Sequence, residues 1–277
     1  MSSTKVDRDE DGLTRKQRRE QARGERRELE AAQAVGAARR RRLTQLAILV
    51  TVVAVGIVGV LIASGKSSPA RIQPGTGVAA AEEARITALL SGIPQHGSAL
   101  GQPDAPVTLQ YYGDLECPFC KAFTVSTLPT LIQKWVRTGR LKIEYHSLET
   151  ATREAEVFKS QQLAALSAGR QNKLWNFIET FYHEQGEEDT GYVTESFIQG
   201  IAEQVPGLNL ARWSADRAEP ALASELSSDA QSANNAQLSG TPGFLIGPSG
   251  GRASRFEASS FTEAGPFNEE IEKQLAR

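Results

Sequence analysis

The sequence predicts an α/β domain preceded by a single N-terminal transmembrane helix. Three features lead to this prediction. A long uncharged apolar run lies near the N-terminus, strand patterns lie near both ends of the region that follows it, and a block of helical patterns separates those strands. With 277 residues, the chain is long enough for one sizeable domain and its appendages. We therefore expect one folded unit behind one membrane anchor.

A single apolar run indicates the membrane anchor. Residues 46–63 carry no charged side chain, and with their flanks they reach across a hydrocarbon core of about 30 Å at about 1.5 Å per residue. We therefore predict a transmembrane signal anchor at 43–64. Arginines at 39–42 precede it, so the positive-inside rule places residues 1–42 in the cytoplasm and the rest outside, as a single-pass protein of the cell membrane. A cleaved signal peptide is the alternative, but the run exceeds its usual apolar length of about 7–15 residues.

The charge distribution supports two environments. Residues 1–42 contain 13 Lys and Arg against 8 Asp and Glu, whereas the remaining residues contain 18 against 25. Such a basic tail, disordered or helical, is typical of segments that contact anionic headgroups. Because acidic residues are interspersed in it, we predict a role in topology and no nucleic-acid partner.

The outer part is predicted to consist of a linker followed by a folded domain. Residues 65–100 mix Gly, Ser, Pro and Ala with one short amphipathic stretch, 79–90, which predicts a stalk. The domain is placed at 101–277. Its first strand is predicted at 107–112, where β-branched and aromatic residues follow two prolines.

A helix, a second strand and a helical block follow. Apolar residues recur at helical spacing from residue 117 to Gly139, which predicts a helix that Pro129 kinks. Residues 141–146 are the second predicted strand. Residues 152–238 are predicted to form a helical insertion, because Gly, Pro and Asp separate its helical patterns. These patterns lie at 155–168, 174–183, 194–205 and 221–238.

The end of the chain predicts a hairpin and a last helix. The segments 243–247 and 252–257 flank a Pro-Ser-Gly-Gly turn, which is typical of a β-hairpin. Residues 268–275 form the last predicted helix. The order is therefore strand, helix, strand, helical insertion, hairpin and helix.

Cys117 and Cys120 are the only cysteines of the chain, and they lie at the predicted junction between the first strand and its helix. Two thiols separated by two residues form and open a disulfide reversibly, and unpaired N–H groups at a helix N-terminus stabilise the first thiolate. A structural zinc site needs about four ligands, and the histidines are scattered. A structural disulfide is an alternative, although so small a loop constrains little of the unfolded chain. We therefore predict a redox pair, with no metal and no organic cofactor.

Two segments resemble DsbA-like proteins of the thioredoxin fold. The first comprises Asp-Ala-Pro-Val-Thr at 104–108 and Gly-Asp-Leu-Glu-Cys-Pro-Phe-Cys-Lys at 113–121, and the second is Ser-Gly-Thr-Pro-Gly-Phe-Leu-Ile at 239–246. The helical insertion between them also matches that family, and the resemblance covers residues 98–276. It implies a thioredoxin fold with a helical insertion, of the membrane-anchored bacterial type.

The resemblance also implies roles for single residues. Cys117 matches the attacking cysteine and Cys120 the resolving one. Pro242 matches a cis-proline, and the backbone of Thr241 is then expected to face the redox pair and to hydrogen-bond an extended substrate. An ordinary loop turn is the alternative for Thr241 and Pro242.

One position departs from the family. Tyr111 stands where the wider thioredoxin-fold group usually carries a buried acid that assists proton transfer to the resolving cysteine. Asp114 and Glu116 are therefore candidates, besides water, for proton transfer or for tuning the pKa of the pair. Glu116, directly before Cys117, would by itself disfavour the thiolate.

These expectations define a function. We expect a thiol:disulfide oxidoreductase outside the cytoplasm that donates disulfides through Cys117 and Cys120 to cysteine-containing secreted or envelope proteins. By the resemblance, a quinone-linked membrane partner reoxidises the pair. Two alternatives are open: a reductase or isomerase that uses the same pair, and a non-catalytic, membrane-tethered binding module.

Overall fold

The structure of the protein, a computed structural model, describes residues 77–277. The predictions for residues 1–42 and 43–64 fall outside the described residues. Within 77–277, none of the helices combines the length and the apolar character that crossing a membrane requires.

A six-stranded mixed sheet forms the centre of the fold. Its strands are β1 (Gln95–His96), β2 (Ala99–Leu100), β3 (Val107–Gly113), β4 (Leu141–Ser147), β5 (Gly243–Pro248) and β6 (Ser254–Arg255), and they lie in the order β1-β2-β4-β3-β5-β6. The central strand β3 runs parallel to β4 and antiparallel to β5, so that Tyr111 lies opposite both Tyr145 and Phe244. All of β3 except Gln110 is buried, which explains its β-branched and aromatic composition.

Eight helices pack around the sheet and on one another within the described residues. They are α1 (Gly77–Leu90), α2 (118–136), α3 (Ala155–Gly169), α4 (Leu174–Glu184), α5 (Glu195–Glu203), α6 (Leu210–Asp216), α7 (Pro220–Asn235) and α8 (Gly265–Leu275). The predicted order of strand, helix, strand, helical insertion, hairpin and helix is therefore confirmed within the described residues.

The helix α2 connects β3 to β4 and begins at the cysteine pair. Its α-helical parts, Pro118–Ala122 and Leu128–Leu131, alternate with π-helical turns at Phe123–Thr127 and Ile132–Val136. The Leu128 N–H donates to the carbonyl of Phe123, five residues earlier, and the next residue, Pro129, has no N–H to donate. The predicted helix is present, and its hydrogen-bond pattern changes next to Pro129.

The helical insertion comprises α3 to α7. Four of these helices occupy the predicted segments, and α6 was not predicted because its seven residues are too few to show a helical period. Its position depends on tertiary contacts, since the fully buried Trp213 donates its indole N–H to the Ala164 carbonyl over 2.8 Å. A sequence pattern does not contain such a contact.

The prediction of a linker at 65–100 is wrong for residues 77–100, the part that the structure describes. Residues 77–100 belong to the folded domain, because α1 packs on it and β2 pairs with β4. The apolar side of α1 is buried in the common core, which includes Ile86 and Leu90. The strands β1 and β2 have two residues each, and such short strands leave no alternating pattern in a sequence.

The predicted hairpin is present with a shorter second arm. β5 pairs antiparallel with β6, and Ile246 lies opposite Ser254. Only Ser254–Arg255 of the predicted segment 252–257 is a strand, and both of its residues are exposed. Because neither residue of β6 is buried, no burial of apolar side chains favours a longer pairing with β5.

The carboxyl group of Glu179 is buried in α4. Its side chain is 0% exposed, and neither oxygen has a hydrogen-bond partner among residues 77–277. Burial raises the pKa of Glu179 to about 8, although the charge of Arg85 on α1 acts in the opposite direction. The folded domain thus keeps this proton at pH values where the unfolded chain has lost it.

We predict that Glu179→Gln stabilises the domain at neutral pH. Because the folded pKa of about 8 lies above the unfolded value of 4.5, the contribution of this group to the unfolding free energy falls as the pH rises through that window. Glutamine removes the titration, with a gain on the order of 2–3 kcal/mol at about pH 7. Chemical denaturation at about pH 5 and about pH 7 measures the effect, and Glu263→Gln, an exposed carboxylate, is the control. An equal gain at both pH values would contradict the prediction.

Candidate active site

The cysteine pair opens α2 directly after β3. Cys117 is the N-cap residue, with an extended backbone (φ −71°, ψ 119°), and Pro118 occupies the first helical position, where its missing N–H costs nothing. Cys120 follows one turn later. Cys117 is 3% exposed, Cys120 is 0% exposed, and both are free thiols. The structure thus places both cysteines at the predicted strand-to-helix junction.

Cys117 is the more acidic thiol of the two. Its pKa is lowered from 9.0 to about 7, chiefly by the hydrogen bond with the Cys120 side chain. Thr241 and the backbone N–H groups of Phe119 and Cys120 lower it further, whereas burial opposes the shift. A substantial fraction of Cys117 is therefore the nucleophilic thiolate near neutral pH.

Cys120 is the buried partner. Burial raises the pKa of its thiol well above 9.0, and the neighbouring Cys117 adds to the shift. A thiolate at Cys120 therefore forms only at a considerable cost in free energy. This asymmetry separates an attacking thiol from a resolving one.

A layer of tyrosines lies where the wider family carries a buried acid. A Cβ atom at Gly113 would lie 2.8 Å from the ring of Tyr145, 3.1 Å from the hydroxyl of Tyr182 and 3.2 Å from the ring of Tyr111. The three side chains, all fully buried, thus converge on the end of β3 just before the cysteine loop. Gly113 permits this close approach because it has no side chain.

The loop before β5 faces the pair. The Thr241–Pro242 peptide is cis, as the resemblance implied. The Cys117 Sγ donates a hydrogen bond to the Thr241 carbonyl over 3.3 Å, so the backbone of Thr241 lies beside the attacking sulfur. The Thr241 side chain forms a hydrogen bond with the Thr150 hydroxyl, which connects this loop to the segment after β4.

Asp114 holds the loops around the pair together. Its Oδ1 accepts from the Glu116 N–H and the Thr152 hydroxyl, and its Oδ2 accepts from the N–H groups of Thr150, Ala151 and Thr152, over 2.6–3.1 Å. The side chain is 0% exposed. Since donors occupy both oxygens, the geometry gives Asp114 a positioning role and does not favour the proton-transfer role considered from the sequence.

Glu116 is also buried, with 6% exposure. Burial raises the pKa of its carboxyl group, and the side chain of Thr152 acts in the opposite direction. Burial raises the pKa of the Tyr192 phenol, and the charge of Glu116 adds to this shift. The backbone N–H of Glu116 is fixed by Asp114.

Gln185, which the sequence did not single out, fixes the backbone before the pair. Its Nε2 donates to the Leu115 carbonyl over 2.7 Å and to the Cys117 carbonyl over 3.1 Å. The backbone carbonyl of Gln185 accepts a hydrogen bond from the Lys121 Nζ over 3.1 Å. The glutamine follows α4, 68 positions after Cys117, so no local pattern could have indicated the contact.

A groove is lined by the loop that carries Thr241, whose carbonyl accepts the hydrogen bond from Cys117. It has a volume of about 210 Å³, and its lining includes Thr241, Pro242 and Phe261. Phe119, between the two cysteines, is 60% exposed, and its ring lies 6.2 Å from the ring of Phe261. The exposed ring of Phe119 and the groove lined by Thr241 and Pro242 suit the binding of an extended peptide segment.

These features permit thiol–disulfide exchange. A thiolate at Cys117 attacks a disulfide, or a disulfide between Cys117 and Cys120 is attacked at Cys117, and the second thiol lies one helical turn away. Within 77–277, no group of three or more His, Cys, Asp or Glu side chains is arranged to hold a metal ion.

Comparisons with known proteins agree with this geometry. The family model described as thioredoxin matches residues 95–258. The probable disulfide bond formation protein D of Bacillus cereus is 22% identical over 149 residues, which are 53% of this chain and 68% of that protein. The disulfide bond formation protein D of Bacillus subtilis is 22% identical over 183 residues, 64% of this chain and 76% of that protein. Oxidised BdbD from Bacillus subtilis has a similar fold, with a TM-score of 0.56 and 21% identity over 68% of this chain and 98% of its own.

Proposed function

The chain belongs to the thioredoxin family and is DsbA-like in sequence and fold, and on this basis we propose that it is a membrane-anchored thiol:disulfide oxidoreductase that donates disulfides outside the cytoplasm. The observation that carries the exchange chemistry, in either direction, is the asymmetric pair at the start of α2. Cys117 has a pKa of about 7 and lies against the Thr241 carbonyl, whereas Cys120 is buried with a raised pKa.

The reaction starts from a disulfide between Cys117 and Cys120. A substrate thiolate attacks the Cys117 sulfur, forms a mixed disulfide and releases the Cys120 thiolate. A second substrate thiolate then attacks the substrate sulfur of the mixed disulfide, so that the substrate leaves oxidised and both cysteines are reduced. The groove next to Thr241 and Pro242 supports binding of an extended cysteine-containing segment.

The proposed location follows from the sequence of the N-terminal part. The apolar residues 46–63 and the arginines at 39–42 support an anchor at 43–64 with the catalytic domain outside. The proposed substrates are therefore secreted or envelope proteins with cysteines, and the proposed reoxidant is a quinone-linked membrane protein.

A specific observation favours a second candidate, a reductase or isomerase. A pKa of about 7 for Cys117 is close to the value of about 7 for thioredoxin, whereas DsbA has about 3.5. The residues between the cysteines, Pro118 and Phe119, also include no cation that would lower the pKa further. The same pair would then transfer electrons to substrate disulfides.

The reduction potential of the Cys117–Cys120 couple tests the proposal. Equilibration of the full-length protein with glutathione buffers, followed by alkylation and mass spectrometry, measures it. A value of about −120 to −180 mV, the range of DsbA and protein disulfide isomerase, is expected for a disulfide donor. A value near or below about −270 mV, as in thioredoxin, would reverse the direction of the reaction.

A further inference from the structure

The turn between β3 and α2 carries the attacking cysteine, and its backbone is bound through both its N–H and its carbonyl groups. The Cys117 N–H donates to the Asp114 carbonyl over 3.0 Å, which closes the turn at 114–117. The Asp114 carboxylate accepts from the Glu116 N–H over 3.1 Å. The carbonyl groups of the turn accept hydrogen bonds from the end of α4. These contacts set the direction in which the Cys117 side chain leaves the backbone.

Two side chains at the end of α4 donate to three carbonyls of this turn. The Tyr182 hydroxyl donates to the Asp114 carbonyl over 3.2 Å. The Gln185 Nε2 donates to the Leu115 carbonyl over 2.7 Å and to the Cys117 carbonyl over 3.1 Å. A primary amide has two N–H donors, so Gln185 uses one for each carbonyl. It therefore fixes the peptide unit that follows Leu115 and the one that follows Cys117.

Gln185 is itself held in place. Its side chain is buried, with 9% exposure of the residue, and its backbone carbonyl accepts from the Lys121 Nζ, on the first turns of α2, over 3.1 Å. A Cβ atom at Gly186 would lie 2.9 Å from the ring of Tyr192, so this ring packs on the residue after Gln185. Because its backbone and its side chain are both bound, the amide is a fixed support for the turn.

The contacts that stabilise the Cys117 thiolate depend on where this backbone places the sulfur. The pKa of Cys117 is lowered to about 7 chiefly by the Cys120 side chain, and Thr241 and the N–H groups of Phe119 and Cys120 add to the shift. Hydrogen bonds weaken steeply as their distance and angle depart from the preferred values. A rotation of the Cys117 backbone would therefore weaken several of these contacts at once.

We propose that Gln185 is a positioning residue of the exchange reaction, whose amide holds the Leu115 and Cys117 carbonyls and thereby directs the attacking sulfur towards the first N–H groups of α2. The inference rests on the proposed exchange function of the pair, in either direction. Gln185 acts on the backbone and not on the reacting atoms. Because it directly follows α4, the helical insertion takes part in the chemistry of the pair.

Gln185→Leu tests the proposal, since leucine fills a similar space and donates no hydrogen bond. In the reduced full-length protein, the alkylation midpoint of Cys117 should rise above about 7. A rise of about half a unit or more makes alkylation below the midpoint about threefold slower or more. The equilibrium with glutathione at about pH 8 should also shift about two- to threefold towards the disulfide, because the reduced form is less stabilised.

Gln204→Leu is the matched control. Gln204 is buried, with 6% exposure, and its Nε2 donates to the Gly200 carbonyl of α5 over 3.1 Å. The variant thus loses the same kind of hydrogen bond without loss of a contact to the cysteine loop. We expect a lower free energy of unfolding, with the alkylation midpoint and the glutathione equilibrium of wild type.

The alkylation midpoint decides between positioning and a purely structural role. A wild-type midpoint in Gln185→Leu, with only a loss of stability, would overturn the proposal, and so would an equal rise in Gln204→Leu. If Gln185→Leu does not fold, Gln185→Asn, whose amide is one methylene shorter, decides by the same outcomes. Absence of a reversible dithiol–disulfide couple in wild type would instead overturn the proposed exchange function.

Discussion

Replacing Cys117 with serine is expected to reduce thiol–disulfide exchange to the rate measured without the protein. The thiolate is the nucleophile of this chemistry, and Cys117 is the thiol whose pKa is lowered, to about 7. Cys120 cannot substitute for it, because it is 0% exposed and its pKa is raised. An insulin-reduction assay and the oxidation of a dithiol peptide measure the loss in both directions.

Cys120→Ser is the matched variant of the other thiol. It leaves Cys117 able to form a mixed disulfide but removes the thiol that resolves it. We therefore expect covalent adducts of this variant with substrate proteins, visible as bands that disappear on reduction, and no such adducts for Cys117→Ser. Full biological activity of Cys117→Ser would favour the non-catalytic binding module over an exchange enzyme.

The acidity of Cys117 has its own expected signature. The rate of its alkylation should rise with pH, with a midpoint near the pKa of about 7. Below this midpoint the thiol is protonated and exchange through Cys117 slows. A midpoint near the ordinary thiol value would show that the Cys120 side chain, Thr241 and the N–H groups of the helix N-terminus do not stabilise the thiolate.

The parts of the molecule that were predicted correctly are those that a short stretch of sequence specifies. The strand β3, the start of α2 and the loop at Thr241–Pro242 each carry a short pattern whose meaning depends on the adjacent residues. Hydrophobic periodicity likewise located most helices of the insertion, since a helix that packs on a core repeats its apolar face.

The parts that were missed depend on contacts between distant segments. Residues 77–100 form part of the domain through burial of α1 and pairing of β2 with β4. Tyr182, in α4, donates to the Asp114 carbonyl, and Gln185, directly after α4, donates to the Leu115 carbonyl. The sequence shows that Asp114 is a carboxylate near the pair but does not reveal that N–H groups from another loop occupy its oxygens.

Asp114 is the residue whose loss is expected to destabilise the domain most among those around the site. It is 0% exposed and accepts five hydrogen bonds, two at Oδ1 and three at Oδ2. Asp114→Ala leaves buried backbone N–H groups without an acceptor, and we expect a loss of about 3–4 kcal/mol of unfolding free energy. Asp114→Asn should lose nearly as much, because an amide presents one oxygen and brings its own donors towards the remaining N–H groups. Asp104→Ala, an exposed aspartate before β3, is the control.

The same substitution should alter the chemistry of Cys117, because Asp114 connects its loop to the cis-proline loop. Asp114 fixes Thr150, Thr150 bonds the Thr241 side chain, and the Thr241 carbonyl accepts from Cys117. With Asp114→Asn, Thr241 is less well held and the pKa of Cys117 should rise above about 7, as the pH dependence of alkylation would show. A variant that loses stability but keeps the alkylation midpoint of wild type would confine Asp114 to a role in folding. A shift in both quantities would mean that one buried carboxylate stabilises the loops and aligns the groups that activate the attacking thiol.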